Sequence, residues 1–292
     1  VITFVVSVVM GGGFENINHT LQGMNEAYLT FPGANGYMPW AYYVSNIVLW
    51  AFFTMGQPHL FTKFFTMKDH KTMFKAIFLG TGGMLVSATL IEWAGVNGIA
   101  SIQGIEKADQ IVPLILQRGL NPFLASIFIA GIVAAGMSTI DGILVTTTGA
   151  VTRDIYQKII NKKADDNSVM KLSKVVTVLI GVVVICFGVF QPGSIFEINL
   201  FAFSGMAIFV VPVLFGMYWK KSTAAGGIAS IVVGVIALLA FTLVPEVKAL
   251  AFGFHALFPA TILGSVTMII ISLLTQKPPQ ETIDRHFLVF NK

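Results

Sequence analysis

The 292 residues are 55% hydrophobic and only 11% charged, with a mean hydropathy of +0.80. Water-soluble domains carry about 25% charged residues, so this composition excludes a soluble globular body of this length and makes a lipid bilayer the solvent for most of its surface. The net charge of +4 does not indicate a nucleic-acid partner, because the basic residues fall in short stretches between apolar runs.

A helix that crosses the hydrocarbon core needs roughly 20 mostly apolar residues. The apolar runs here are long and lack the two-residue alternation of barrel strands. The chain opens inside such a run at Val1, with no start methionine before it, and residues 1–13 read as a truncated helix of a fragment whose N-terminal half is missing. Residues 14–37 hold Asn, Gly and Pro with no Lys or Arg, as a long outer connection would. Spans follow at 38–66 and 73–96. Residues 97–121 form a second outer segment, with a short amphipathic piece at 107–118. Asn121-Pro122 opens the span 122–150, with proline in the first turn, where its missing N–H costs nothing. Spans 168–191, 194–219, 223–244 and 250–275 complete the set, and 276–292 is a tail. The single cysteine, Cys186, excludes an internal disulfide and reads as a packing residue.

The loops test this count, because Lys and Arg collect on the cytoplasmic side. Lys63, Lys68, Lys71 and Lys75 share one loop, and Arg153, Lys158, Lys162, Lys163, Lys171 and Lys174 share another. Lys220, Lys221, Lys277, Arg285 and Lys292 fall on the same side. Only Lys107, Arg118 and Lys248 fall on the other. The alternation makes the chain a multi-pass inner-membrane protein with a cytoplasmic C-terminus.

Two spans carry polar interruptions. In 38–66, Gly56-Gln57-Pro58 breaks the run near its middle. Pro58 lacks an N–H and would clash with the carbonyl of Thr54, so the helical ladder opens there. Asn46, Trp50, Thr54 and Gln57 recur at helical steps. Two readings stay open: a proline-kinked helix packed in a bundle, or a discontinuous helix lining a substrate cavity. In 122–150, Ala135, Ser138, Gly142 and Thr146 share a face, with Thr139 beside them. Small residues permit close helix packing. The hydroxyls of Ser138 and Thr139 with the carbonyl of Ala135 would equally offer a sodium ion three hard oxygen ligands. Asp141, one turn on, reads as a vestibule or coupling charge. Glu92, Glu197 and Asn199 lie near outer ends, and His59 reads as packing beside Pro58. A metal-ligand cluster, a phosphate-cradling glycine loop and a nucleophile elbow are not found, so an intramembrane enzyme has little support.

At these segments the sequence resembles the sodium/solute symporter family. Gly136-Met137-Ser138-Thr139, followed by Thr152-Arg153-Asp154-Ile155-Tyr156, looks like its serine–serine or serine–threonine pair and cytoplasmic Asp-(Ile/Leu)-Tyr. Trp50 with Met55-Gly56-Gln57-Pro58-His59 looks like its proline and pantothenate branches. Asn199 to Gly205, Met217-Tyr218-Trp219 and Gly226-Gly227-Ile228-Ala229 are similar to the pantothenate branch. The resemblance implies an all-α, LeuT-like five-plus-five inverted-repeat bundle, of which this chain is the C-terminal part. It begins in the fifth core helix, with 38–66 the broken sixth, 122–150 the eighth, and 223–275 two extra peripheral helices. It implies sodium at Ala135, Ser138 and Thr139, completed by the absent first core helix, and substrate contacts at Asn46, Trp50, Thr54, Gln57 and Pro58. Thr54 departs from the tyrosine of the proline branch. The expected activity is sodium-coupled symport of a small organic solute across a bacterial inner membrane, pantothenate or another monocarboxylate first and proline second. A symporter-like sensor and a proton-coupled carrier using Asp141 are the alternatives from other classes. Sodium and the small-molecule substrate are the expected partners, with no organic cofactor and no nucleic acid.

Overall fold

The structure is a computed structural model that describes residues 1–36, 38–57, 66–102, 104–105, 107–190 and 193–287. Among the described residues the regular elements are all helical. Six helical stretches are long and apolar enough to cross a membrane: His70–Ser101, Pro122–Ile160, Asp166–Phe190, Ile195–Tyr218, Ala224–Leu243 and Leu257–Leu274. Their surface calls for lipid, since Phe78 is 80% and Phe190 81% exposed. Side chains of this size left bare would cost about 1.5–3 kcal/mol each in water. The chain is a multi-pass membrane protein.

Residues form two compact units, Val1–Leu29 with Thr62–Ile195, and Thr30–Phe61 with Phe196–Lys292. In the first, α1 (Ile2–Met10) packs on the C-terminal end of α4 (His70–Ser101) and on α5 (Ile111–Gly119), and α2 (Phe14–Met24) packs on α4. Ile102, Ile111 and Ile115 form their apolar core, with Val6 and Met10 against it. Within this core the Asn97 amide donates to Ser7 Oγ at 3.1 Å, and Ser7 Oγ donates to the Phe4 carbonyl at 2.7 Å. Asp69 caps α4 by accepting from the Thr72 N–H at 2.7 Å, which holds its carboxyl below the ordinary range. The transmembrane helix α6 (Pro122–Gly149) starts at Pro122, where the Asn121 side chain accepts from the Leu124 N–H at 2.9 Å. Beyond Gly149 the coil widens to i→i+5 bonding over Ala150–Ile160 and ends with Asn161 N–H on the Tyr156 carbonyl at 2.7 Å. The next helix, α7 (Asp166–Phe190), returns beside it.

In the second unit α3 (Trp40–Phe52) tightens into a 3-10 turn at Phe53–Gly56. The stretch Ile195–Tyr218, within the run read from sequence as a span at 194–219, is broken inside into two helices, α8 (Ile195–Ala207) and α9 (Val210–Tyr218). Pro212 is the cause. It cannot donate to the Ile208 carbonyl one turn back, and that carbonyl takes Val211 N–H instead at 3.3 Å. The hairpin α10 (Ala224–Leu243) and α12 (Leu257–Leu274) comes next, joined through the short α11 (Pro245–Ala249). The run 250–275 is therefore helical only from Leu257. Small residues set the hairpin's closeness: Gly226 lies against Ser272 and the Met268 carbonyl, and Gly264 against the Ser230 carbonyl. Thr223 caps α10 and shares a 2.8 Å hydroxyl contact with Thr275. Leu49, Phe53, Leu200, Ile208, Leu238 and Leu257 form the unit's apolar core. An exposed helix, α13 (Gln280–Phe287), ends the described chain.

Candidate functional site

The two sets of candidate residues belong to different units. Ala135, Ser138, Thr139 and Asp141 are on α6 of the first; Asn46, Trp50, Thr54 and Gln57 are in the second. Pro58, with His59 and Lys63, lies outside the described residues.

On α6 the three oxygens singled out from sequence converge. The Ala135 carbonyl accepts from Ser138 Oγ at 2.8 Å and from Thr139 Oγ1 at 3.4 Å. Each bond taken alone is the ordinary back-bonding of a helical hydroxyl to the carbonyl three or four residues earlier. Thr146 does the same to Gly142 at 2.9 Å. What distinguishes Ala135 is that one carbonyl is shared by two adjacent hydroxyls. A cation that took the carbonyl lone pair would release both hydroxyls to turn their own lone pairs onto it. All three residues, Gly136 and Asp141 are exposed and Gly142 is half-buried, and an added Cβ at either glycine would meet nothing within 4 Å. The face that carries these oxygens is open in this chain.

Sequence reading passed over the hydroxyls just beyond. Thr148 Oγ1 lies 3.1 Å from Thr177 Oγ1, and Ser173 Oγ donates to the buried Thr152 Oγ1 at 3.1 Å. This seam fastens α6 and its widened continuation to α7. Thr148 and Thr152 are four residues apart, and so are Ser173 and Thr177. Two such pairs on neighbouring apolar helices were the available signal. The Thr152-Arg153-Asp154-Ile155-Tyr156 motif lies wholly within the widened turns, where Asp154 pairs with Lys158 at 2.7 Å on the exposed side.

The second set does not share a single environment. Asn46 and Gln57 are buried, with the Asn46 amide donating to the Tyr42 carbonyl at 3.0 Å, whereas Trp50 and Thr54 are exposed. Trp50 stands edge-on to Phe53 at 5.2 Å and to Phe203 at 5.6 Å. Asn46 and Trp50 already differ within the regular helix α3, and the 3-10 turn after Phe52, with three residues per turn instead of 3.6, rotates Thr54 further from the face of Asn46. That turn packs where α8 stops: a Cβ on Gly56 would stand 2.6 Å from the Met206 carbonyl carbon and closer still to its oxygen. Two helix interruptions therefore touch through backbone, an arrangement that glycine at position 56 alone permits.

The model of the sodium:solute symporter family matches residues 1–234. The sodium/pantothenate symporter of Haemophilus influenzae is 26% identical over 284 residues, which is 97% of this chain and 58% of that protein. Its namesake in Escherichia coli is 27% identical over 285 residues, with the same shares. The sodium/proline symporter of Haemophilus influenzae is 25% identical over 248 residues, 82% of this chain and 49% of that protein. All three are named as transporters rather than enzymes, and the chain spans a little over half the length of the pantothenate symporters. With a family match over four-fifths of its length and helices built for a bilayer, the chain belongs to the sodium:solute symporter family.

Proposed function

We propose that the intact protein carrying this chain couples sodium entry to uptake of a small organic monocarboxylate, pantothenate first, across a bacterial inner membrane. The observation that supports it best is the sharing of the Ala135 carbonyl by the Ser138 and Thr139 hydroxyls inside a region that matches the family. Sodium takes these three oxygens and further ligands from a helix outside this chain. It thereby ties α6 to that helix and favours the outward-open state. Substrate then binds against the broken helix that contains Asn46, Trp50, Thr54, Gln57 and Pro58. Loss of sodium to the cytoplasm releases the tie and the substrate inward. Asp141 sits one turn from the ion in a water-filled inner vestibule, and the C-terminus faces the cytoplasm, as the basic loops require.

Moving one charge through the membrane potential is worth about 2.3 kcal/mol per 100 mV, or roughly a fiftyfold solute gradient. Proline is a second reading, favoured by proline symporters among the relatives at similar identity. The test is uptake of radiolabelled pantothenate, acetate and proline into proteoliposomes of the intact protein, with sodium or potassium outside at fixed pH. Sodium-dependent accumulation of pantothenate is expected. Accumulation that is indifferent to sodium but tracks a proton gradient would transfer the coupling to Asp141.

A further inference from the structure

The second unit holds a cavity of about 460 Å³ beside the start of α3, walled by Tyr42, Phe241, Phe254, Glu197, Lys248 and His255. Small-molecule sites occupy roughly 300–1,000 Å³ and combine apolar, often aromatic, walls with a few placed polar groups. The connection that brings in three of these groups is held by its own geometry. Phe252 and Gly253 both take positive φ, 50° and 82°, which reverses the chain between α11 and α12. Phenylalanine in that region is strained, and such strain gathers at ligand clamps. His255 N–H then donates to Ser45 Oγ at 2.9 Å, and its ring meets Tyr42 edge-on at 5.9 Å. The ring's Nδ1 accepts from the Leu257 N–H at 3.3 Å, so the neutral imidazole keeps its proton on Nε2 as a donor. Lys248 lines the same cavity and makes no hydrogen bond or salt bridge with a described residue.

We propose that this cavity binds an organic monocarboxylate with an apolar body, its carboxylate held by Lys248 and His255 and its body lying on the rings of Tyr42, Phe241 and Phe254. Glu197 in the same wall repels a second negative charge, which selects monocarboxylates over dicarboxylates. Lysine is the suitable anchor because its ammonium acts as a compact point charge needing no planar partner. None of these residues belongs to the sodium or substrate set proposed above, so the site stands independently of the transport reading.

The test measures equilibrium binding of radiolabelled 4-phenylbutyrate to the purified intact protein in sodium-free potassium buffer. Saturable binding is expected in the wild type. A hydrogen bond to a charged group is worth about 1.5–3 kcal/mol, so Lys248→Met raises Kd by about tenfold or more, while Lys248→Arg retains binding within about threefold. 4-Phenylbutanol and 3-phenylglutarate bind about tenfold more weakly than 4-phenylbutyrate, and Glu197→Gln recovers the dicarboxylate. Unchanged Kd in Lys248→Met, equal binding of the alcohol, or no saturable binding at all would overturn the proposal. A thermal midpoint of Lys248→Met equal to wild type establishes that lost binding is not lost folding.

Discussion

Replacing Gly56 by alanine tests the contact between the two helix interruptions. Alanine in place of glycine ordinarily stabilises by about 0.4–1 kcal/mol through the unfolded chain when the backbone conformation suits it, and helical Gly56 has no positive φ to forbid it. The opposing term is steric. The new methyl group falls 2.6 Å from the Met206 carbonyl carbon and nearer its oxygen, and backbone cannot swing aside as a side chain can. Overpacking a dense core costs about 1–3 kcal/mol, so the clash wins and the net loss is about 1–2 kcal/mol. For a unit of this size that is a fall of roughly 2–8 °C in thermal midpoint. Gly205→Ala is the matched control, on α8 in the same unit, because its Cβ would meet nothing within 4 Å. It holds the wild-type midpoint or raises it. Both variants are made in the intact protein and melted in detergent with tryptophan fluorescence as readout. A midpoint for Gly56→Ala equal to or above that of Gly205→Ala would refute the claim that the α3 break rests on the Met206 backbone.

Ser138→Ala and Thr139→Ala raise the sodium concentration for half-maximal uptake, each by roughly tenfold or more, since even outer partners of metal ligands are worth about 10–100-fold; an unchanged sodium dependence removes the ion from α6. In the core of the first unit, Asn97 Oδ1 is buried with no partner among the described residues while its amide donates to Ser7. Ser7→Ala therefore strands the amide and costs about 1–3 kcal/mol, whereas Asn97→Leu with Ser7→Ala costs measurably less than Ser7→Ala alone, as read by chemical denaturation. His255 carries a pH signature: burial first, then the Lys248 cation, push its pKa below the ordinary value of 6.5. The unfolded chain then binds the extra proton, so stability is full above pH 6.5 and is lost as pH falls from there through the depressed folded value. His255→Gln flattens the dependence of the thermal midpoint between pH 5 and 7.

The helical membrane class was legible from composition alone, because so few charges leave lipid as the surface's solvent. The entry into α6 was equally open, since Asn121 and Pro122 carry a cap and a first-turn proline in adjacent positions. The interruption within 194–219 was not read, although its cause was printed in the sequence. Pro212 points four residues back to Ile208, and the break stands there, at Ile208 and Phe209. Hydropathy hides such a break, because Val, Ile and Phe on both sides keep the run apolar while the ladder beneath it opens.

Site residues divide by the kind of geometry they need. Ala135, Ser138 and Thr139 converge because they lie within one regular helix, where spacing alone fixes which oxygens meet. Asn46, Trp50, Thr54 and Gln57 were placed on one face by the same arithmetic, and there it fails: Asn46 and Trp50 differ in burial within α3 itself, and beyond Phe52 the coil changes pitch. The turn also ends against another helix, where the Met206 backbone is close enough to exclude any Cβ at position 56. Helical periodicity is a local rule, and it loses its authority at the point where one helix is shaped by the end of another. The hydroxyl seam of Thr148, Thr152, Ser173 and Thr177 obeys both conditions at once. Each pair keeps its four-residue step, yet their partnership exists only because α7 returns alongside α6, so the spacing was readable and the pairing was not.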